Sequence, residues 1–378
     1  MNKNPALKVM TVVGTRPEVI RLSRVIALLD RHLDHILVHT GQNYDFELNG
    51  IFFQDMEIRE PDHFLDIDST SLGASVGDII RKTGELLARV KPDALLVLGD
   101  TNSCLSAYMA KRMHIPVFHM EAGNRCFDFN VPEELNRRII DHIADFNLVY
   151  TGHARRHLLS EGLPHRRIYL TGSPMKEVLD HYLPKIRKSG ILKELGLKPK
   201  GYFVVSVHRE ENVDRPENLR KILDILNSVA ETYRLPVIVS THPRTRKRME
   251  TARGFKSKKE IRFLKPFGFT DYVKLETEAF CTLSDSGTIS EESAILGFPA
   301  ISLRQSMERP ESQDAGTIIL TGLERSVVLS SIACMTGEEN KGNPPRIPEE
   351  YTITDTSRRV LRLILGNTGL SNQWWGIG

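Results

Sequence analysis

Short β-branched runs alternate with helix-period segments from the first residues onward, and that rhythm restricts the chain to parallel strands joined by crossover helices. KVMTVV (8 to 13) opens the series; HILVHT (35 to 40), ALLVLG (94 to 99), IPVFHM (115 to 120), FNLVY (146 to 150) and RIYLTG (167 to 172) follow. Each run ends in or beside Gly, Thr, His or Asp ahead of the next helix, as strand ends do over a ligand crevice. The stretch from Pro174 to Gly201 carries many lysines with Pro and Gly and has no buried-strand character, which puts an interdomain connection near Gly172. A second series then runs through YFVVSV (202 to 207), PVIVS (236 to 240), IRFL (261 to 264), AFCTLS (279 to 284), PAISL (299 to 303) and GTIIL (316 to 320). At 378 residues the chain exceeds the size at which one core keeps growing. The expectation is an α/β protein of two doubly wound Rossmann-like domains facing a central cleft. The first spans 1-171 plus 355-378, where SRRVLRLILG forms a returning helix; the second spans 172-354.

Formal net charge is +3, from 51 basic against 48 acidic residues, a balance that argues against nucleic acid as a partner. Anions must then be gripped locally. Arg244 to Arg248 and Lys256 to Lys259 form a dense basic stretch, which reads as a solvated helix face ahead of a phosphate or membrane patch. No uncharged stretch approaches the roughly 20 residues that span a bilayer, so no membrane insertion is expected. Charged residues arrive too early in MNKNPALKVM for a secretory core, and the four cysteines show neither a CxxC pair nor zinc spacing. A cytoplasmic protein with reduced thiols fits both observations.

In the first half, Gly14-Thr15-Arg16-Pro17-Glu18 follows a strand and opens a helix, where free backbone N–H groups and Arg16 suit a phosphate. Gly99-Asp100-Thr101-Asn102-Ser103 ends another strand in an acid, which also fits a plain helix cap. His119-Met120-Glu121-Ala122-Gly123-Asn124-Arg125 ends a third, and the helix after it begins with Pro132, Glu133, Glu134, Leu135, Asn136, Arg137 and Arg138. Asp100, Glu121 and Glu133 are thus three acids at one crevice edge. Their mutual repulsion would raise at least one pKa, while Arg125 or Arg137 could keep another ionised, a set able to take a proton from carbon and return one.

In the second half, His208 and Arg209 follow a strand within SVHREEN, and His242 ends the next one. A lone histidine there is more often structural than catalytic, but this one has company. Ser284-Asp285-Ser286-Gly287-Thr288-Ile289-Ser290-Glu291-Glu292 leads from a strand to a helix N-terminus, so backbone amides can hold a diphosphate and Glu292 can accept ribose hydroxyls. A capping box is the structural alternative, and both can hold together.

Taken together, GTRPE, GDTNS, MEAGNR, PEELNRR, VHREEN, SDSGTISEE and Glu308-Arg309-Pro310-Glu311 resemble the ordered motif set of the non-hydrolysing UDP-N-acetylglucosamine 2-epimerases over roughly residues 8 to 320. The resemblance implies a glycosyltransferase-B architecture, a UDP-binding C-terminal domain, a homodimer, and neither metal nor nicotinamide cofactor. It implies anti elimination of UDP and re-addition with the opposite configuration at C2, with UDP-sugar and UDP as the molecules bound. By matching position, Asp100, Glu121, Glu133 and His208 become the acid/base candidates: a carboxylate moves the C2 proton, and His208 steadies or protonates the departing diphosphate. Arg16, Arg21, Arg125 and Arg137 would organise phosphates and carboxylates. Ser286, Gly287 and Glu292 would anchor UDP, with Arg309 and His242 beside them.

Some positions depart from the family pattern. Arg21 stands where lysine is common, and the PEE element begins unusually soon after MEAGNR. The string EAGNRCFDFNVPEELNRRIIDHIAD resembles the subgroup that makes UDP-N-acetyl-L-fucosamine from UDP-2-acetamido-2,6-dideoxy-L-talose, a step toward capsule or O-antigen sugar. The alternatives are a UDP-GlcNAc 2-epimerase making UDP-ManNAc and a glycosyltransferase of the same fold; a hydrolysing epimerase and a silent sensor are weaker rivals. Gln42 matches one glutamine of an allosteric region in some relatives, but Asn43, Tyr44 and Asp45 do not, which speaks against activation by substrate.

Overall fold

The computed structural model describes residues 7–41, 53, 55–251, 257–338 and 345–377; Gln42 and its neighbours, like Lys256, lie outside them. Two compact units emerge, Met1–Asp180 with Ile353–Gly378, and His181–Thr352. The division falls inside the helix Met175–Lys188, beyond the turn at Gly172 where the connection was expected.

The first unit holds a seven-stranded parallel sheet. Its strands are β1 (Lys8–Val13), β2 (Asp34–His39), β3 (His63–Phe64), β4 (Ala94–Leu98), β5 (Val117–Ala122), β6 (Phe146–Val149) and β7 (Ile168–Leu170), in the spatial order β3-β2-β1-β4-β5-β6-β7. All five residues of β4 are buried, as expected when helices cover both faces of a parallel sheet. Period-two alternation sorts the side chains. Val9, Val13, Leu96 and Leu98 pack with Leu22, Ile26, Val360 and Ile364 on one face, while Met10, Val12, Leu95 and Val97 pack with Ile79, Leu86, Ala107 and Ile140 on the other.

The expected returning helix is Thr356–Trp375, longer than SRRVLRLILG alone, because both tryptophans join it. It packs on the helix Arg16–His32 through Val360, Leu361 and Ile364. Its first turn is pinned where Thr356 Oγ1 donates to the Thr171 and Ser173 carbonyls, and its last where Trp375 Nε1 donates to Asp145 at 2.5 Å.

The second unit holds β8 (Phe203–Ser206), β9 (Val237–Ser240), β10 (Ile261–Leu264), β11 (Cys281–Ser284), β12 (Ala300–Ser302) and β13 (Ile319–Leu320), all parallel, in the order β10-β9-β8-β11-β12-β13. The alternation recurs: Phe203 and Val205 face Ile222 and Leu226, whereas Tyr202 and Val204 face Leu275 and Ile191. Both units are therefore α/β with a doubly wound strand order, and each order reverses beside its first strand, at β1/β4 and at β8/β11. Such reversals open the crevice in which open α/β sheets bind ligands. Among the described residues, no helix is long and apolar enough to cross a membrane.

Candidate active site

At the β1/β4 reversal, the buried Glu18 carboxylate stitches two loops together. One oxygen accepts from the Gly14 and Thr15 N–H groups at 2.9 and 2.6 Å, and the other from Thr101 Oγ1 at 3.1 Å and from Ser103 Oγ. Burial raises its pKa despite these donors. Gly14 itself is tight, since a Cβ there would meet Thr40 Oγ1 at 2.6 Å. Arg16 follows at the first helical position, half-buried, and loss of solvent lowers its pKa from the ordinary value.

Gly99, which leads into Asp100 at the end of β4, lies beside Glu121 at the end of β5. A Cβ built on Gly99, the residue before Asp100, would lie only 3.8 Å from Glu121 Oε2. Asp100 Oδ2 accepts from Arg137 Nε at 3.0 Å and from Arg137 Nη2, so Arg137 serves as the expected counter-cation. Glu121 Oε2 lies 3.5 Å from Arg21 Nη1, and its Oε1 accepts from Asn124 at 3.3 Å. The Arg21 guanidinium also stands over the Tyr150 ring at 5.9 Å. Glu121 has φ of +64°, a left-handed conformation that costs a non-glycine residue of order 1–3 kcal/mol and concentrates at functional sites. The strand slips register here, between Met120 and Ala122 against β6, which turns the carboxylate away from the ordinary pleat. Glu133, half-buried, opens the helix Pro132–Ile143 one turn before Arg137.

Arg125 requires a correction. Rather than facing phosphate or steadying Asp100, it is 1% exposed and spent on protein groups: Nε and Nη2 donate to Glu161 at 2.8 and 2.7 Å, and Nη1 donates to Asp141 and the Asn124 carbonyl at 2.6 and 2.7 Å. Its guanidinium holds the Glu161 carboxyl down to about 2. Asp141 also accepts from the Gly123 N–H at 3.1 Å. Gly123 has φ of +80°, and a Cβ there would sit 2.4 Å from the Ala154 carbonyl oxygen, so only glycine fits. Glu134, passed over in favour of Glu133, is the buried acid that binds Arg137, Arg138 and the Cys126 N–H.

The β8/β11 reversal repeats the device with Asp285. Its fully buried carboxylate accepts from the N–H groups of His208 and Arg209 and from Asn212 Nδ2, all within 3.1 Å, and stands 3.2 Å from His208 Nδ1. His208 is thereby oriented while staying 43% exposed. His242 is beside it, with ring centroids 6.4 Å apart. Ser286 Oγ meets Thr288 Oγ1 at 3.0 Å, and Thr288 Oγ1 donates to Glu292 at 3.1 Å, so Ser286 and Glu292 are joined through one hydroxyl ahead of the helix Ile289–Leu296. Gly287 keeps space open near Arg209 Nη2. Arg309 also differs from expectation. Buried, it grips Glu291 at 3.0 Å and so holds the helix that carries Glu292. Among the described residues no cluster of three or more His, Cys, Asp or Glu could hold a metal ion.

The family model described as UDP-N-acetylglucosamine 2-epimerase matches residues 27–365. The solved UDP-N-acetylglucosamine 2-epimerase from Rickettsia bellii is 49% identical with a TM-score of 0.91, covering 98% of this chain and 100% of that one. Methanocaldococcus jannaschii UDP-GlcNAc 2-epimerase, solved in complex with UDP-GlcNAc and UDP, is 33% identical with a TM-score of 0.89 over 95% of this chain and 99% of its own. The UDP-2,3-diacetamido-2,3-dideoxy-D-glucuronate 2-epimerase of Pseudomonas aeruginosa is 31% identical over 338 residues, 88% of this chain and 93% of its own length. Matches that run through both units, at identities beyond what a shared fold requires, make this chain a member of the UDP-N-acetylglucosamine 2-epimerase family and an isomerase of the UDP-sugar 2-epimerase class.

Proposed function

We propose that the chain inverts C2 of a UDP-linked 2-acetamido sugar by eliminating UDP and adding it back. The observation that carries this reading is the strained Glu121 beside Gly99-Asp100, each acid matched to its own arginine. A carboxylate takes the C2 proton, the electron pair forms the C1–C2 double bond, and the C1–oxygen bond breaks to release UDP; UDP then re-forms the C1–oxygen bond on its original face while a proton is delivered to the opposite face of C2. Asp100, Glu121 and Glu133 supply the proton-transferring groups and Arg16, Arg21 and Arg137 their electrostatic setting. The second unit anchors UDP through Ser286, Gly287 and Glu292, and His208, held by Asp285, steadies the leaving diphosphate. The enzyme works as a homodimer in the cytoplasm.

The proposed substrate is UDP-2-acetamido-2,6-dideoxy-L-talose and the product UDP-N-acetyl-L-fucosamine, destined for surface polysaccharide. The string EAGNRCFDFNVPEELNRR supports it, as does a relative named for yet another UDP-sugar, which marks the family as tolerant of sugar changes. Conversion of UDP-GlcNAc to UDP-ManNAc is the second reading, favoured by the names of the Rickettsia and Methanocaldococcus proteins. Each UDP-sugar is incubated alone in deuterated water and followed by NMR. Deuterium at C2 with epimer from the talose sugar is the expected result; epimer from UDP-GlcNAc alone replaces the substrate, and no C2 exchange from either ends the epimerase reading.

A further inference from the structure

We infer that His119 is a positioning residue for the proposed C2 epimerisation, a ring whose Nε2–H sets the backbone carrying Asp100; the inference rests on that functional reading. His119 lies inside β5 with no exposure, two residues before Glu121. Its Nε2 is 2.8 Å from the Gly99 carbonyl oxygen, and its Nδ1 is 2.9 Å from Asp141 Oδ1. A carbonyl oxygen only accepts, so Nε2 donates. Nδ1 makes no hydrogen bond, and Asp141 accepts instead from the Gly123 N–H and from Arg125. Arg125 is the cation between Asp141 and Glu161, and Arg138 and His142 face Glu161 from outside at 3.5 and 3.1 Å.

The consequence is mechanical. Gly99 has φ of +72°, a conformation with several neighbouring alternatives for glycine, and its own N–H is fixed to the Met120 carbonyl at 2.9 Å. With the carbonyl clamped by His119, both ends of Gly99 are held, and the direction in which the chain leaves toward Asp100 is set. One strand thus orients both acids, Glu121 through its own backbone and Asp100 through the His119 ring.

Two substitutions separate this role from simple packing. His119→Gln can place an amide N–H where Nε2 stands, whereas His119→Asn reaches only the Nδ1 position and abandons the Gly99 carbonyl. His119→Gln should keep kcat near the wild-type value, and His119→Asn should lose about 10²-fold in kcat at unchanged KM, the scale of an ångström misplacement. Equal kcat for the two variants overturns the inference. Should either variant fail to fold, nitrogen NMR of the wild-type protein labelled at histidine decides: a proton on Nε2 of His119 is expected, and a ring protonated on Nδ1 alone overturns it. Failure of the epimerase reading looks different, since the wild-type enzyme would then leave C2 unexchanged whatever His119 does.

Discussion

The second sheet repeats the strand order of the first without its β7, and each buries a carboxyl where that order reverses, Glu18 between the loops after β1 and β4 and Asp285 between those after β8 and β11. The surroundings differ. Around Glu18 stand further acids, each matched to a cation: Asp100 to Arg137, Glu121 to Arg21, Asp141 to Arg125. Beside Asp285 stand small hydroxyls, a glycine and two histidines, with Glu292 reached through Thr288 instead of an arginine. Topology fixes where a ligand is met, and the side chains decide whether that place moves protons or cradles an anion.

The sharpest way to break this contrast is Glu121→Gln. It should lower kcat by about 10²–10⁴-fold while leaving UDP affinity by calorimetry unchanged; equal losses in both would put Glu121 among the binding groups. Arg125→Ala leaves Asp141 buried short of a cation, and chemical denaturation should report a loss of about 3–5 kcal/mol. A loss under about 1 kcal/mol would mean the ion pairs of the first unit do not hold its shape. Glu292→Gln should weaken UDP binding by about tenfold or more, the worth of a hydrogen bond to a charged acceptor, with kcat at saturation little altered.

The smallest effect concerns Glu276, whose carboxyl is held well above its ordinary value, by burial first and by the nearby Glu292 next. Below the ordinary carboxylate pKa the folded and unfolded chains both keep this proton, and the group adds no slope. Above it the unfolded chain releases the proton and the folded chain keeps it, so stability falls with rising pH until the folded carboxyl ionises. Glu276→Gln should flatten the fall in stability above about pH 5. An unchanged slope in urea titrations would show that Glu276 folds as an anion.

The strands were readable because buried parallel strands are short, apolar and β-branched; KVMTVV and IRFL coincide with β1 and β10 residue for residue. β3 escaped because His63-Phe64 is two residues long at a sheet edge and carries no periodicity. Asp100, Glu121 and Arg137 were legible as polar residues at strand ends and on the following helix. Asp141, Glu134 and His119 were not, since a buried acid in a helix or a histidine inside a strand looks ordinary until its partners, distant along the chain, are known. For the same reason Arg125 and Arg309 looked like ligand-facing cations, and only the positions of Glu161 and Glu291 redirect them.

The closing helix Thr356–Trp375 has a consequence for biosynthesis. Residues 181–352 leave the ribosome with everything their sheet needs, whereas the half translated first waits for Val360, Leu361 and Ile364 to cover Leu22, Ile26 and Leu29. A premature stop codon late in the message would therefore strike hardest at the oldest part of the nascent polypeptide.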